Sequence, residues 1–365
     1  MKNILYYILP CIMLQTTSCS EDENIVWQSR NAQLSAIVEQ TREARSPYTE
    51  TVPSLNHELH VAVWASTKVN PTTNLTQFKD ENLDGRNDSE ISKHTKANFQ
   101  NGKDQLLIDI IYSDNGKNVK FVGFHPENIE DDNDVWKTNE DGAIATMDFS
   151  GTEDVMFAPE VSGTYGMSAN PKLRFHHLLT WLNIQMVAES EDARDAWGAI
   201  EDITIKSSKT VTIEINHGAE VVGGYNRYNH VSYSNLSDFD IFFIEEDMDK
   251  EFPENCEGGK YVLKGPKVGN EANWNSFVED VGYVMCAPVD ASVSDVDYTI
   301  TVKSERRTVD IPVNLMKSSN SEYTENTMGK QFTILLKFNI GDNIAVSTTV
   351  DNWKTGGFSK GDITE

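Results

Sequence analysis

The stretch Phe332-Thr333-Ile334-Leu335-Leu336-Lys337-Phe338-Asn339-Ile340-Gly341-Asp342-Asn343-Ile344-Ala345-Val346-Ser347-Thr348-Thr349-Val350 alternates apolar and polar residues twice, with a turn between the two runs. In an extended chain successive side chains point to opposite faces, so Phe332, Ile334, Leu336, Phe338 and Ile340 share one face. Thr333, Leu335, Lys337 and Asn339 take the other. Gly341-Asp342-Asn343 has turn chemistry, and Ile344, Val346, Thr348 and Val350 resume the alternation. The spacing predicts a hairpin with a three-residue loop and one buried face.

Working outward, the same signal recurs at short intervals. Leu59 to Ala65 is rich in β-branched and aromatic residues and is bounded by Pro53 and Pro71. Further strand candidates are 106–112, 119–124, 143–149, 155–158 and 173–187. Between them lie clusters of Asn, Asp, Gly and Pro, which supply turn conformations. From Leu178 to Val187 both alternating sets are largely apolar, which predicts a central strand covered on both faces. Glu189 to Trp197 starts acidic and reads as a short helix or a polar linker. The second half resumes with strand candidates at 203–205, 211–215, 239–244, 261–263, 282–286, 298–302 and 309–313. Leu34 to Val38 is a short apolar patch that fits a strand or one helical turn equally. The fold class expected is all-β.

Composition narrows the function classes. With 57 acidic against 31 basic residues the net charge is -26, and no Lys/Arg stripe is present, so nucleic acid is not an expected partner. No G-x-S-x-G, H-E-x-x-H, P-loop or C-x-x-C motif occurs. The chain is therefore expected to be no enzyme, with no cofactor and no metal. His57 and His60 fall on opposite faces of a strand, as do His176 and His177, which makes shared metal ligation improbable; His177 reads as a core-facing imidazole. Asp80 to Asp88 matches the opening of a calcium loop, but the twelfth position is Ile91 where a bidentate glutamate belongs, and an acidic surface turn is the competing reading. Cys256 and Cys286 are free to pair in an oxidising compartment, although their spacing does not require it. The tryptophans and the tyrosines near Asn226, namely Tyr225, Tyr228 and Tyr233, keep a surface glycan-binding protein as the alternative function.

The N-terminus carries an address. Lys2 followed by the apolar run Ile4 to Leu14 has the layout of a secretory signal, too short to span a bilayer. Ser18-Cys19 resembles the lipobox of bacterial lipoproteins, in which the cysteine is acylated and becomes the mature N-terminus. Ser20-Glu21-Asp22-Glu23 resembles the acidic signal that sends lipoproteins of some Gram-negative bacteria to the cell surface. The expected division is a signal peptide at 1–18, a lipidated lead at 19–52, and β-domains at 53–188 and 189–365.

Three places, taken in order, resemble the fimbrillin family, subunits of fimbriae assembled from lipoprotein precursors. They are Thr41-Arg42 ahead of the first firm strand, Phe175-His176-His177-Leu178-Leu179-Thr180, and the closing run to Val350-Asp351-Asn352-Trp353. Asp154-Val155-Met156-Phe157-Ala158 adds to the likeness. The resemblance implies two tandem transthyretin-like β-sandwich domains. It also implies a surface lipoprotein of the outer membrane and fimbrium, cut by a trypsin-like protease after an arginine and joined to other fimbrial subunits by strand exchange. Carried onto this chain, Arg42 and Arg45 are the candidate cleavage points, with a solvated linker as the competing reading. Leu34 to Val38 is the releasable strand. Ile344 to Val350 is the candidate donor, or else an ordinary edge strand.

Because one acyl chain holds only reversibly and two or three hold firmly, Cys19→Ala is expected to abolish palmitate incorporation and move the protein from the membrane fraction to the soluble one. Labelled palmitate retained by that variant contradicts the anchor.

Overall fold

The computed structural model describes residues 31–38, 60–78, 92–99, 105–112, 118–126, 136–139, 142–167, 170–216, 220–222, 225–227, 230–243, 256–257, 260–289, 296–315, 327–341 and 343–351. Among them the first strands are β1 (Asn31–Val38), β2 (His60–Ser66), β3 (Ser92–Phe99), β4 (Gln105–Ile111) and β5 (Val119–His125). They are followed by β6 (Lys137–Thr138), β7 (Ile144–Asp148), β8 (Met156–Gly163), β9 (Lys172–His177) and β10 (Thr180–Ala188). After the helix α1 (Glu191–Trp197) come β11 (Ile200–Glu214), β12 (Glu220–Val222), β13 (Tyr225–Arg227), β14 (Val231–Asp240) and β15 (Phe242–Phe243). Then follow β16 (Cys256–Glu257), β17 (Lys260–Tyr261), a 3-10 segment (Glu271–Phe277), β18 (Glu279–Cys286), β19 (Tyr298–Ser304), β20 (Thr308–Val313), β21 (Gln331–Phe338) and β22 (Ile344–Asp351). The chain is all-β, as its alternation predicts.

Two β units result. In the first, the ladder runs β1-β4-β3-β2-β5-β8-β9 and returns to β1, a closed barrel. Alternation sorts its side chains cleanly. Val61, Val63 and Ala65 of β2 fill the interior with Val119 and Phe121 of β5, while Ala62, Trp64, Val122 and Phe124 face outward into a second apolar cluster.

The second unit packs two sheets face to face. One has the order β15-β18-β10-β21-β22; the other is built on β11, which carries β19-β20 and β7 on one side and β14 and β17 on the other. Leu182, Ile184, Ile334, Leu336 and Phe338 of the first sheet share one core with Ile203, Ile205, Ile300 and Val302 of the second. That core is continuous with the outward face of the barrel, where the Phe124 ring lies about equally close to Trp64 (5.0 Å), Trp136 (4.8 Å) and Phe157 (5.0 Å). The hydrogen-bond ladders do not follow a division at residue 188. β7 pairs with β11, and β10 is the middle strand of the sheet that contains β18 and β21.

The helix between β10 and β11 is built at both ends. Ser190 Oγ accepts from Ala193 N (3.1 Å), Glu191 and Asp192 occupy the first turn, and Gly198 at φ 72° closes it by donating to Arg194 O (2.9 Å). Its buried Trp197 donates through Nε1 to Asn339 O (2.8 Å), and the Arg307 guanidinium covers the ring at 4.4 Å. This fixes the helix against the end of β21.

Four details differ from the sequence expectations. The apolar run 173–187 is two strands in different units, because Leu178 and Leu179 carry the chain across the junction without any turn residue to mark it. The separate candidates 203–205 and 211–215 are one strand, β11. Its polar middle stays extended because Ser207 and Ser208 pair with Ser237 and Leu236, and Ser207 Oγ accepts from Ala287 N (3.0 Å). The closing hairpin turns earlier, after Phe338, leaving Ile340 57% exposed. Polar strands β3 and β14 carry too few apolar residues to be seen by alternation.

Ile184 is fully buried in the middle strand of its sheet. Ile184→Ala is expected to lower unfolding stability by about 2–5 kcal/mol in urea titrations, whereas Thr349→Ala, on the exposed face of β22, is expected to stay within about 0.5 kcal/mol.

Candidate functional site

The candidate site is the place where the barrel closes. Among the described residues β1 is the one link between β4 and β9. Its first half pairs antiparallel with β4, Leu34 opposite Leu106 and Ser35 opposite Gln105. Its second half runs parallel to β9, with Ser35, Ala36, Ile37 and Val38 in register with Lys172, Leu173, Arg174 and Phe175. Ser35 sits where the halves overlap, and its N–H donates to Pro171 O at 2.9 Å. Leu34 and Ala36 are fully buried inside the barrel. The ambiguous patch 34–38 is thus a strand, fixed by partners far along the chain.

The lane around β1 has closely packed walls. An added Cβ at Gly123 of β5 would stand 2.5 Å from Phe175 Cζ, so the Phe175 ring of β9 already lies over the backbone of β5, with β8 between them in the ladder. Tyr112 is seated the same way on Gly163, whose added Cβ would meet its hydroxyl at 2.4 Å and Pro171 at 2.6 Å. Burial pushes the Tyr112 phenol above its ordinary range. At the end of β9 the His177 Nδ1 and Asp154 Oδ2 atoms lie 2.5 Å apart, both side chains nearly buried, and Leu178 N donates to Val155 O (2.8 Å). His177 is a core imidazole that ties the start of β8 to the end of β9. Both motifs around Asp154 and His177 therefore shape the barrel wall that holds β1.

Other candidate residues are placed as follows. Cys19, Arg42, Arg45 and the 80–88 loop lie outside the described residues. Cys286 is a free, buried thiol beside Ser207, and burial raises its pKa. Tyr233, offered as a sugar platform, instead lies in β14 with its hydroxyl donating inward to Leu178 O. Tyr225 belongs to the short hairpin strand β13, and Tyr228 lies outside the described residues. What sequence reasoning missed is the pairing of a small residue, Gly123, with the Phe175 ring. A glycine within the alternating run of β5 was its only mark.

The model of the fimbrillin-like family matches residues 51–353. This chain belongs to the fimbrillin-like family. No curated protein matches it. Among solved structures it is similar to a candidate cell adhesion protein from Bacteroides uniformis, with 13% identity, 89% of this chain and 100% of that chain covered, and a TM-score of 0.47. A candidate cell adhesion protein from Bacteroides ovatus aligns at 9% identity over 90% of this chain and 99% of that one, with a TM-score of 0.46. Candidate polysaccharide binding proteins from Bacteroides thetaiotaomicron align at 8% identity over 88% and 96%, with a TM-score of 0.42. These relatives are named for adhesion or glycan binding, not for catalysis. In this fimbrillin-like chain the Phe175 to Thr180 motif spans the crossing from the barrel strand β9 to the central strand β10.

Gly123→Ala is expected to cost about 1–3 kcal/mol by overpacking against Phe175. Adding Phe175→Leu is expected to recover part of the loss in a double-mutant cycle. Additive losses would show that the two residues do not share the barrel interior.

Proposed function

We propose that this fimbrillin-like chain is a structural or accessory subunit of a fimbrium, exported as an outer-membrane surface lipoprotein anchored at Cys19, and that it contributes to adhesion. Assembly proceeds by strand exchange with other fimbrial subunits. The observation that carries the reading is that among the described residues β1 alone joins β4 to β9, while Arg42 and Arg45 follow it closely in the chain. A trypsin-like protease cutting after either arginine severs β1 from β2. A strand held by its own ladder and by Leu34 and Ala36 is then retained only non-covalently, Leu34 contributing about 1.5–3 kcal/mol of burial.

Departure of β1 leaves the facing edges of β4 and β9 with unpaired N–H and C=O groups over an apolar interior. Such edges recruit another strand, whose backbone supplies the hydrogen bonds and whose alternate side chains fill the pockets. The donor in the reverse direction is β22. It lies at the end of its sheet, pairs with β21 among the described residues, and alternates along its whole length.

Mass spectrometry of the surface-extracted protein tests this. An N-terminus at Glu43 or Ser46 is expected in the assembled fraction. An assembled fraction beginning only at Cys19 overturns maturation and leaves a permanently anchored subunit.

A further inference from the structure

From the residue sizes in the β1 lane we infer that this chain accepts its incoming strand from a different subunit, not from β22 of a second copy; the inference rests on the strand-exchange reading above. Two inward seats of the lane, at positions 34 and 36, make opposite demands. The seat at position 34 holds a leucine and the seat at 36 holds an alanine, both fully buried. Leu173, in register with Ala36, is itself fully buried. Phe175, two residues further along β9, is also fully buried, and its ring lies against Gly123 of β5. An alanine fully buried beside Leu173 makes the 36 seat a small one, which a branched side chain overpacks. The 34 seat requires one.

β22 fits neither way round. Its inward set includes Ile344, Val346 and Thr348, each branched at Cβ, so a register that seats two of them forces a branched residue into seat 36. Its other set includes Ala345, Ser347 and Thr349. Seating Ala345 and Ser347 satisfies position 36 but leaves position 34 nearly empty. Overpacking one seat and emptying the other are both costly. The fitting partner is a strand with a large aliphatic residue, then any residue, then Ala, Gly or Ser. A chain that rejects its own donor joins a mixed fibre. It does not build a shaft of identical copies.

The experiment uses the full chain with a site-specific protease sequence placed over residues 42–45, cut and then mixed with fluorescent peptides covering residues 31–38 and 344–351. The 31–38 peptide is expected to bind. Its Ala36→Val version is expected to bind roughly 10- to 100-fold more weakly, its Ala36→Gly version within a few-fold, and the 344–351 peptide no better than the Ala36→Val one. The cut chain alone is expected to stay monomeric. Tight binding of the 344–351 peptide, or filaments grown from the cut chain alone, overturns the inference and leaves strand exchange standing. Equal binding of the parent and Ala36→Val peptides does the same. If no peptide binds, strand exchange falls and the inference falls with it.

Discussion

The parallel ladder between β1 and β9 is the contact on which the first unit depends. Every other neighbouring pair in the barrel is antiparallel and joins strands within a continuous path, whereas this pair seals the path by returning the N-terminal strand to its end. A sheet that closes on itself has no free edge. Remove the seal and two edges appear at once. The staggered way in which β1 holds on, β4 by its first half and β9 by its second, makes it a diagonal staple with Ser35 at the crossing.

The rest of the molecule explains why opening that seal need not unfold the chain. The outer faces of β2, β5 and β8 belong to the same apolar cluster as the second unit, through Trp64, Phe124 and Phe157. β7, which lies between barrel strands in sequence, is hydrogen-bonded into the sheet of β11. The side of the barrel opposite the lane is thus buttressed by a sandwich whose core owes nothing to β1. Stability is distributed unevenly, as in proteins that open locally while the remainder stays folded.

Much of this was legible in the residues. Strict alternation marked β21 and β22, and the doubly apolar run from Leu178 marked β10 as central, because burial on one face or two leaves a direct imprint on composition. The acidic start at Glu189 left a short helix or a polar linker open, and the structure has the helix. What alternation does not carry is partnership across the chain. Leu34 to Val38 has no local feature that separates strand from helical turn, and its identity comes from pairing with β4 and β9, both far along the chain; Ser35 and Pro171 are separated by 136. The crossing at Leu178-Leu179 was hidden for a related reason, since both residues are buried and neither unit needs a turn there. β3 and β14 escaped notice because a strand that shows polar residues on both faces resembles a loop until its partner is known. Cys286 could not be assigned from spacing either, as its surroundings, an apolar core beside Ser207, suit a free thiol.

Amide hydrogen exchange, followed on the intact chain and on the chain cut between residues 39 and 52, tests the central claim most directly. If β1 is the seal, cutting should accelerate exchange in 105–111 and 172–177 while 180–188 and 331–338 stay protected. Unchanged protection of β4 and β9 after the cut strand has been washed away, or loss of protection throughout the molecule, would contradict it.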